Sequence, residues 1–407
     1  HGLPHALAAG RLMKWLTQDI PGTGGAYKEN PEDFQVEEIP LYPCCGEGEH
    51  LYLWIEKRGI STRNLLGQLA RGLRLQEREL GYAGLKDARA LTRQLISIPG
   101  KKADQLPQLQ LENARIVESQ RHTNKLRLGH LAGNRFRIRL RQTLPDAAQR
   151  AEAILARLQQ QGVPNFFGEQ RYGALGNSAL LGRLLLQHNY QAFCHEFIGD
   201  PRLIRDPDWQ RAAELFRAGQ LGAAQQQLPR TMRDEHRLLD NLQLGQSCQE
   251  AVTRLPRNLL RLFLSATQSK LFDTLLRERR FRLERLEDGD IAVKLSNGAC
   301  FRVIDAAQEQ PRAERFEISP TAPLYGTKVM LATGQPGERE KQLLEETGIS
   351  LASWRSESLT MPGERRPLRV PLHDAQVSAS GTRELTLEFA LPKGSYATSV
   401  LQEVIKA

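Results

Sequence analysis

Apolar and polar positions along the chain change their period several times. Phe34, Val36 and Ile39 roughly alternate with charged residues and predict a short strand. Pro31 biases Asn30 toward extended backbone at its entrance. The run Leu51-Tyr52-Leu53-Trp54-Ile55 is rich in β-formers and predicts a second strand. Ser61 or Thr62 then stands where it can cap a helix that carries Leu65, Leu66, Leu69 and Leu73 on one side. Gln76–Ala83 leads into a glycine-containing turn, and Thr92–Ile98 leaves it as a strand. That turn therefore joins two elements of one sheet, a common place for chemistry. Further on, Arg135, Arg137, Arg139 and Arg141 alternate with Phe136, Ile138 and Leu140. A strand there puts four arginines on one face and three apolar side chains on the other. Pro145-Asp146 opens a helix with Asp146 as its expected cap; Ile154, Leu155 and Leu158 form its apolar side and Gly162 ends it.

From about 177 to about 250 the composition is helical, dominated by Leu, Ala, Gln and Arg. Pro256 starts another helix, with Leu259, Leu260, Phe263, Leu271, Phe272 and Leu275 expected inside. A basic cluster, Arg277 to Arg282, follows it. Residues 290–330 are rich in strand and turn signals, and 337–351 read as an acidic helix. Leu368, Val370 and Leu372 alternate, as do Leu385, Leu387, Phe389 and Leu391, and the two segments are expected to pair. A last helix is expected near Tyr396–Ile405. A helix-rich middle between strand-rich ends suggests a segment inserted into a mixed α/β domain. Two successive domains account for the same shifts.

Composition narrows the class. At 407 residues there is chain for about two or three domains. Hydrophobic residues make up 40% and charged residues 25%, as in an ordinary soluble globular protein, and no apolar run is long enough to span a bilayer. His1–His5 lacks the order of a secretory signal. Cys44 and Cys45 are adjacent, while Cys194, Cys248 and Cys300 stand alone; neither a disulfide scaffold nor a structural zinc site is expected. A cytoplasmic setting follows. A formal net charge of +9 and a pI of about 9.4 favour an anionic partner, most simply nucleic acid. Residues 121–141 carry seven Lys or Arg and no Asp or Glu. Arginine's fork suits phosphate, so the Arg135–Arg141 face reads as an anion-binding face. A solvated outer face of a sheet is the competing reading.

Two loops carry candidate chemistry. In Gly81–Gln94, small residues at Gly81, Ala83 and Gly84 allow a tight turn, and Lys86 and Asp87 follow at once. A carboxylate on a tight loop among cations suits a site for a polyanion; a surface turn with an ordinary ion pair has the same signature. Gly162–Gly173 gathers Phe166, Phe167 and Tyr172 with the amides of Asn165 and Gln170. Such a loop can stack a base and bond its edges, or it can be a packed Gly-aromatic turn.

Taken in order, Lys28-Glu29-Asn30-Pro31-Glu32-Asp33-Phe34, Gly84-Leu85-Lys86-Asp87, Gly133-Asn134-Arg135-Phe136, Asn165 to Gly173, and Ser395-Tyr396-Ala397-Thr398 span nearly the whole chain. Together they resemble the TruD family of tRNA pseudouridine synthases. The resemblance implies an α+β fold: a mixed, mainly antiparallel sheet of the pseudouridine-synthase catalytic fold with helices, interrupted by an inserted α/β TRUD domain. The boundaries it suggests are 1–164 and 362–407 for the catalytic domain and 165–361 for the insertion. By the same resemblance Asp87 matches the essential aspartate, and Lys28 is expected near it. Asn134 and Phe136 match the family's Gly-Asn-x-Phe, with the aromatic expected against the target base. Asn165 and Gln170 match the later signature, where Tyr172 stands in place of a frequent Phe. The implied activity isomerises a uridine of tRNA, at position 13 and most familiarly in tRNA-Glu. It needs no cofactor and no metal. The implied partner is tRNA, with no membrane and no obligate protein partner.

The chemistry sets its own demands. The N-glycosidic bond must be cut, the base turned, and the bond remade through carbon five. One carboxylate acts while ionised, as a nucleophile or as a base at the sugar. Aspartate, with a reference pKa of about 3.9, is ionised at neutral pH unless desolvation wins. Lys86 is its neighbour in sequence, but adjacent side chains of extended chain point apart. Lys28, or an arginine from elsewhere, is the better expected partner. Unstacking the target base costs a few kcal/mol, and aromatic stacking returns about 1–3 kcal/mol per base. Two other classes remain in view. One is a non-catalytic RNA-binding or RNA-chaperone protein in which Asp87 is structural. The other is a glycoside hydrolase, which wants two carboxylates from Glu32, Asp33 and Asp87.

Overall fold

A computed structural model describes residues 15–168, 173, 175–355 and 359–406. The chain forms two compact units, one from residues 1–164 and 370–407, the other from 165–369. In chain order the first unit contains β1 (Phe34–Pro40), β2 (His50–Arg58), α1 (Thr62–Leu73), β3 (Gly81–Tyr82), β4 (Leu91–Pro99), β5 (Ala114–His122), β6 (Leu131–Arg141), α2 (Ala147–Gln161) and β7 (Val163–Pro164). The second contains α3 (Ser178–Leu186), α4 (Tyr190–Ile198), α5 (Pro207–Arg217), α6 (Leu221–Gln227), α7 (Arg233–Gln243), α8 (Cys248–Thr253), α9 (Arg257–Arg279), β8 (Ile291–Lys294), β9 (Cys300–Arg302), α10 (Ala306–Glu314), β10 (Ile318–Leu324), α11 (Gly334–Thr347) and β11 (Glu364–Pro367). After β12 (Arg369–Val370) the chain returns to the first unit with β13 (His373–Gly381), β14 (Glu384–Pro392) and α12 (Ala397–Ile405).

The first unit is built on one sheet, in the order β13-β14-β6-β1-β4-β2-β5, with β3 also paired to β4. Its pairs are antiparallel except β1 with β4. This is the mixed, mainly antiparallel α+β sheet that the family resemblance implied. On one face Leu51, Leu53, Ile55, Ile96 and Ile98 pack against Leu65, Leu66, Leu69 and Leu73 of α1. Each such leucine removed from water contributes about 1.5–3 kcal/mol. Ser61, not Thr62, caps α1: its Oγ accepts the Asn64 N–H at 3.1 Å.

Three expectations change. Asp146 occupies the cap position of α2 without bonding a backbone N–H; its carboxylate pairs with Arg150 one turn on, at 2.8 Å. The strand Leu385–Leu391 lies within β14, but it pairs with β13 and β6, not with Leu368–Leu372. Among the described strands only β14 pairs with β13, whose sequence, His-Asp-Ala-Gln-Val-Ser-Ala-Ser-Gly, is largely exposed and shows no apolar alternation. Finally, in β1 it is Phe34, Val36 and Glu38 that face inward; Ile39 falls on the other parity.

In the second unit α9 is the central helix, burying Phe263, Leu264, Leu271, Phe272 and Leu275. A helix apolar on most sides belongs inside a unit with its own core. The Arg277–Arg282 cluster is divided between tasks: Arg279 is buried and bonds Asp290 at 2.6 and 3.0 Å. No helix of the described residues is long and apolar enough to cross a membrane.

Candidate active site

The parallel pairing of β1 and β4 sets the geometry. Gln35 lies opposite Leu91, so the two strands begin side by side. The segment entering β1 carries Lys28, and the loop entering β4 carries Asp87. Lys28 Nζ donates directly to Asp87 Oδ2. Lys28 has φ +65°, a left-handed backbone that a non-glycine residue seldom adopts and that recurs at functional sites. Its ammonium also lies 4.2 Å from the Phe34 ring centroid, in cation–π range.

Asp87 is held at three points. Oδ2 takes Lys28, Oδ1 accepts the Arg89 N–H at 2.8 Å, and the main-chain carbonyl accepts from Lys57 Nζ at 2.9 Å. Burial pushes the carboxyl pKa up. The hydrogen bonds from Lys28 and Arg89 and the charges of Lys28 and Lys57 outweigh it, leaving the group below its ordinary value. Asp87 is thus a carboxylate kept ionised in a half-buried position.

Lys86 points away from Asp87, as alternation requires. Its Nζ lies 2.9 Å from Glu38 Oε2 and donates to Asn134 Oδ1 at 2.8 Å. Glu38 and Asn134 are directly opposed across β1 and β6. Burial raises the Glu38 pKa against the pull of Lys86. Lysine is a donor only, so the Asn134 oxygen must face it and the amide NH₂ points elsewhere. That NH₂ has no partner among the described residues. Phe136 follows on the same face, 6% exposed, with ring centroids 6.2 Å from Phe34 and 5.4 Å from Phe389. It lies in the aromatic layer that also supports Lys28 through Phe34.

The arginine row on the other face of β6 is not bare. Arg135 pairs with Asp374 at 3.6 Å and Arg137 with Glu388 at 3.4 Å. Arg141 forks onto Asp33 at 2.8 and 3.1 Å and bonds Glu384 at 2.8 Å. The strand itself has no acid, but its neighbours supply them. Arg139 is exposed and has no carboxylate within ion-pair distance among the described residues. Asp33 is engaged by Arg141 and by the Asn30 N–H, and Glu32 pairs with Arg58. Neither is left to act as the second carboxylate of a glycosidase.

The loop after β7 belongs to the second unit. Asn165 is 3% exposed; its Nδ2 donates to Pro367 O at 2.9 Å and its Oδ1 accepts from Arg366 at 2.7 Å. Both ends of the amide shape the loop, which differs from the substrate contact expected of it. Arg366 lies 4.1 Å from the Phe167 ring centroid, and Arg277 and Arg280 lie 5.3 and 5.5 Å from that of Phe166. These contacts are those of a packed Gly-aromatic turn. Gln170 lies outside the described residues.

Sequence reasoning missed Glu38, Lys57 and the supporting role of Phe34. The parity of Phe34 and Val36 was signal enough for Glu38. Nothing local marked Lys57.

The loop entering β4, a central strand of the mainly antiparallel sheet, thus brings a carboxylate against a lysine from the entrance of the neighbouring strand β1. The family model for tRNA pseudouridine synthase D (TruD) matches residues 12–404. The chain is 55% identical over 396 residues to tRNA pseudouridine synthase D of Syntrophotalea carbinolica, covering 97% of this chain and 99% of the relative. With the protein of the same name from Geobacter metallireducens it shares 50% identity over 395 residues, covering 97% and 98%. Its fold is similar to the crystal structure of a putative tRNA pseudouridine synthase D from Methanosarcina mazei, with a TM-score of 0.83 and 29% identity over 97% of this chain and 96% of that one. The chain belongs to the tRNA pseudouridine synthase D (TruD) family and is an isomerase.

Proposed function

We propose that the protein converts one uridine of tRNA to pseudouridine, at position 13 and with tRNA-Glu as a substrate, in the cytoplasm, with Asp87 as the catalytic carboxylate. The observation that carries this reading is Asp87 held on a short loop by Lys28 and by the Arg89 N–H. An anionic carboxylate can attack the sugar carbon at the glycosidic bond or take a proton from the sugar. In either case the negative charge that Lys28 stabilises passes from Asp87 to the departing base. The Asn134 NH₂, its oxygen occupied by Lys86, offers donors to a pyrimidine carbonyl. Phe136 backs the base through the Phe34 layer, and Gln170 contributes to substrate binding. Arg135, Arg137 and Arg139 present cations to phosphates, with Arg139 the least compensated. The second unit corresponds to the family's inserted domain.

The test is tritium release from tRNA carrying C5-tritiated uridine. Release with unmodified tRNA is expected, and mapping should place pseudouridine at position 13; no release from any bulk tRNA overturns the reading. Asp87→Asn should lower turnover by about 10⁴-fold or more while tRNA binding stays within about twofold. Substantial residual turnover would remove Asp87 from its role.

A further inference from the structure

Lys57 is the last inward-facing residue of β2 and is 0% exposed. Buried ammonium groups are rare unless paired. Lys57 makes no ion pair within 4 Å among the described residues. Its Nζ instead donates to two main-chain carbonyls, Ile60 at 2.6 Å and Asp87 at 2.9 Å. Ile60 lies in the turn before α1 and Asp87 in the loop before β4, so one ammonium ties the turn to the loop beyond the end of the β2–β4 ladder. Two further bonds run the same way. The Lys86 N–H donates to Thr62 Oγ1 at 2.9 Å, and Gly59 N–H to Ala90 O at 3.2 Å. Thr62 Oγ1 in turn donates to the buried Gln94 at 2.9 Å. The loop is thus clamped to the turn on both sides of Asp87, and the central clamp carries a charge.

An uncharged donor could hold the same carbonyls without the cost of burying an ammonium. The charge has a second target. Lys28 meets the Asp87 carboxylate from one side through its side chain, while Lys57 lies behind the same residue at its backbone. A cation there favours the ionised carboxylate and fixes the peptide that aims it.

We infer that Lys57 is a positioning residue for the pseudouridine-forming reaction, its buried ammonium clamping the Asp87 peptide to the turn before α1 and holding the carboxylate aimed and ionised. The inference rests on Asp87 being the catalytic group. Burial lowers the Lys57 pKa to about 8; the Asp87 charge opposes this and the Lys86 charge adds to it. Asp87, Lys86 and, through Asp87, Lys28 are the charged groups that face it.

The test uses full-length enzyme with single-turnover tritium release, tRNA affinity and thermal melting measured together. Lys57→Met matches the volume and removes the charge. Its turnover should fall about 30-fold or more, with tRNA affinity within about twofold and the melting temperature lowered by only a few degrees, as the Ile60 and Asp87 carbonyls lose their donor. Lys57→Arg should retain most of the turnover, and its alkaline limb should move above that of the native enzyme, since guanidinium does not titrate there. If Lys57→Met does not fold, Lys57→Gln, which keeps an N–H donor without the charge, is measured the same way. A folded neutral variant with native turnover, or one whose loss equals its unfolded fraction, overturns the inference. Asp87→Asn is run alongside. Turnover in that variant sinks the catalytic reading itself, whereas a dead Asp87→Asn beside a native Lys57→Met sinks only the role of Lys57.

Discussion

Asp87 is kept charged by a balance in which burial opposes ionisation and Lys28, Arg89 N–H and Lys57 favour it. Removing Lys28 takes away the largest of the contributions that oppose the burial penalty. A carboxylate with a depressed pKa is active above that pKa and loses activity as pH falls through it. The native enzyme should therefore lose turnover only below the ordinary aspartate range. In Lys28→Met the acid limb should move to higher pH, with turnover at neutral pH reduced about 10²-fold. The same sign holds for stability: the pair's contribution is complete above the unfolded pKa of about 4 and is lost as pH falls through the folded value. An unshifted acid limb in a folded Lys28→Met would show that Lys28 does not set the ionisation of Asp87. The Lys28–Asp87 pairing was legible in the sequence because motif order and side-chain alternation both favoured Lys28 over Lys86. The second circuit, Lys86 with Glu38 and Asn134, was not. Glu37 and Glu38 look alike in sequence, and only strand parity, carried one residue past Val36, separates the exposed acid from the buried one.

Strand β6 presents two faces with different work. Toward the core, Phe136, Ile138 and Leu140 alternate inward, as the pattern predicted, and Asn134 shares their parity. The outward arginines differ among themselves because their cross-strand neighbours differ. Arg139 faces Thr386, whereas Arg137 faces Glu388 and Arg141 faces Glu384. A single strand's pattern contains no information about those neighbours, so four equivalent arginines in sequence become a graded set in the sheet. Arg141 neutralises the buried Asp33, and its loss leaves that carboxylate without its cation. Arg141→Ala should destabilise the fold, read as a lowered denaturation midpoint. Arg139→Ala should leave the midpoint within about 0.5 kcal/mol. It should weaken tRNA binding and reduce the slope of log affinity against log salt by about one. Equal effects of the two substitutions on either quantity would contradict the division. The pairing of β13 with β14 was missed for a related reason: a largely exposed strand with one sheet neighbour has no need of apolar alternation.

At the scale of the molecule, periodicity could not tell an insertion from two successive domains. It records what each segment is, and the distinction lies in which strands are neighbours. The decisive pairing joins β6 to β14, Ile138 opposite Leu387, so segments on both sides of residues 165–369 build one sheet. Among the described residues, the side chains that bond Asp87 and its supporting circuit include Lys28, Glu38, Lys57, Thr62, Lys86 and Asn134 of that unit. The intervening unit has a core of its own around α9, with Leu264, Phe272 and Leu276 buried. It also has its own buried polar bonds, Arg279 to Asp290 and Arg365 to Glu340 at 2.8 Å. A segment with that complement should fold without the rest of the chain. Residues 165–369 expressed alone should show helical circular dichroism and a single cooperative melt, and should release no tritium from uridine-labelled tRNA. A non-cooperative melt would mean that its core is completed by the flanking chain. Tritium release would mean that the catalytic carboxylate lies outside the Asp87 loop.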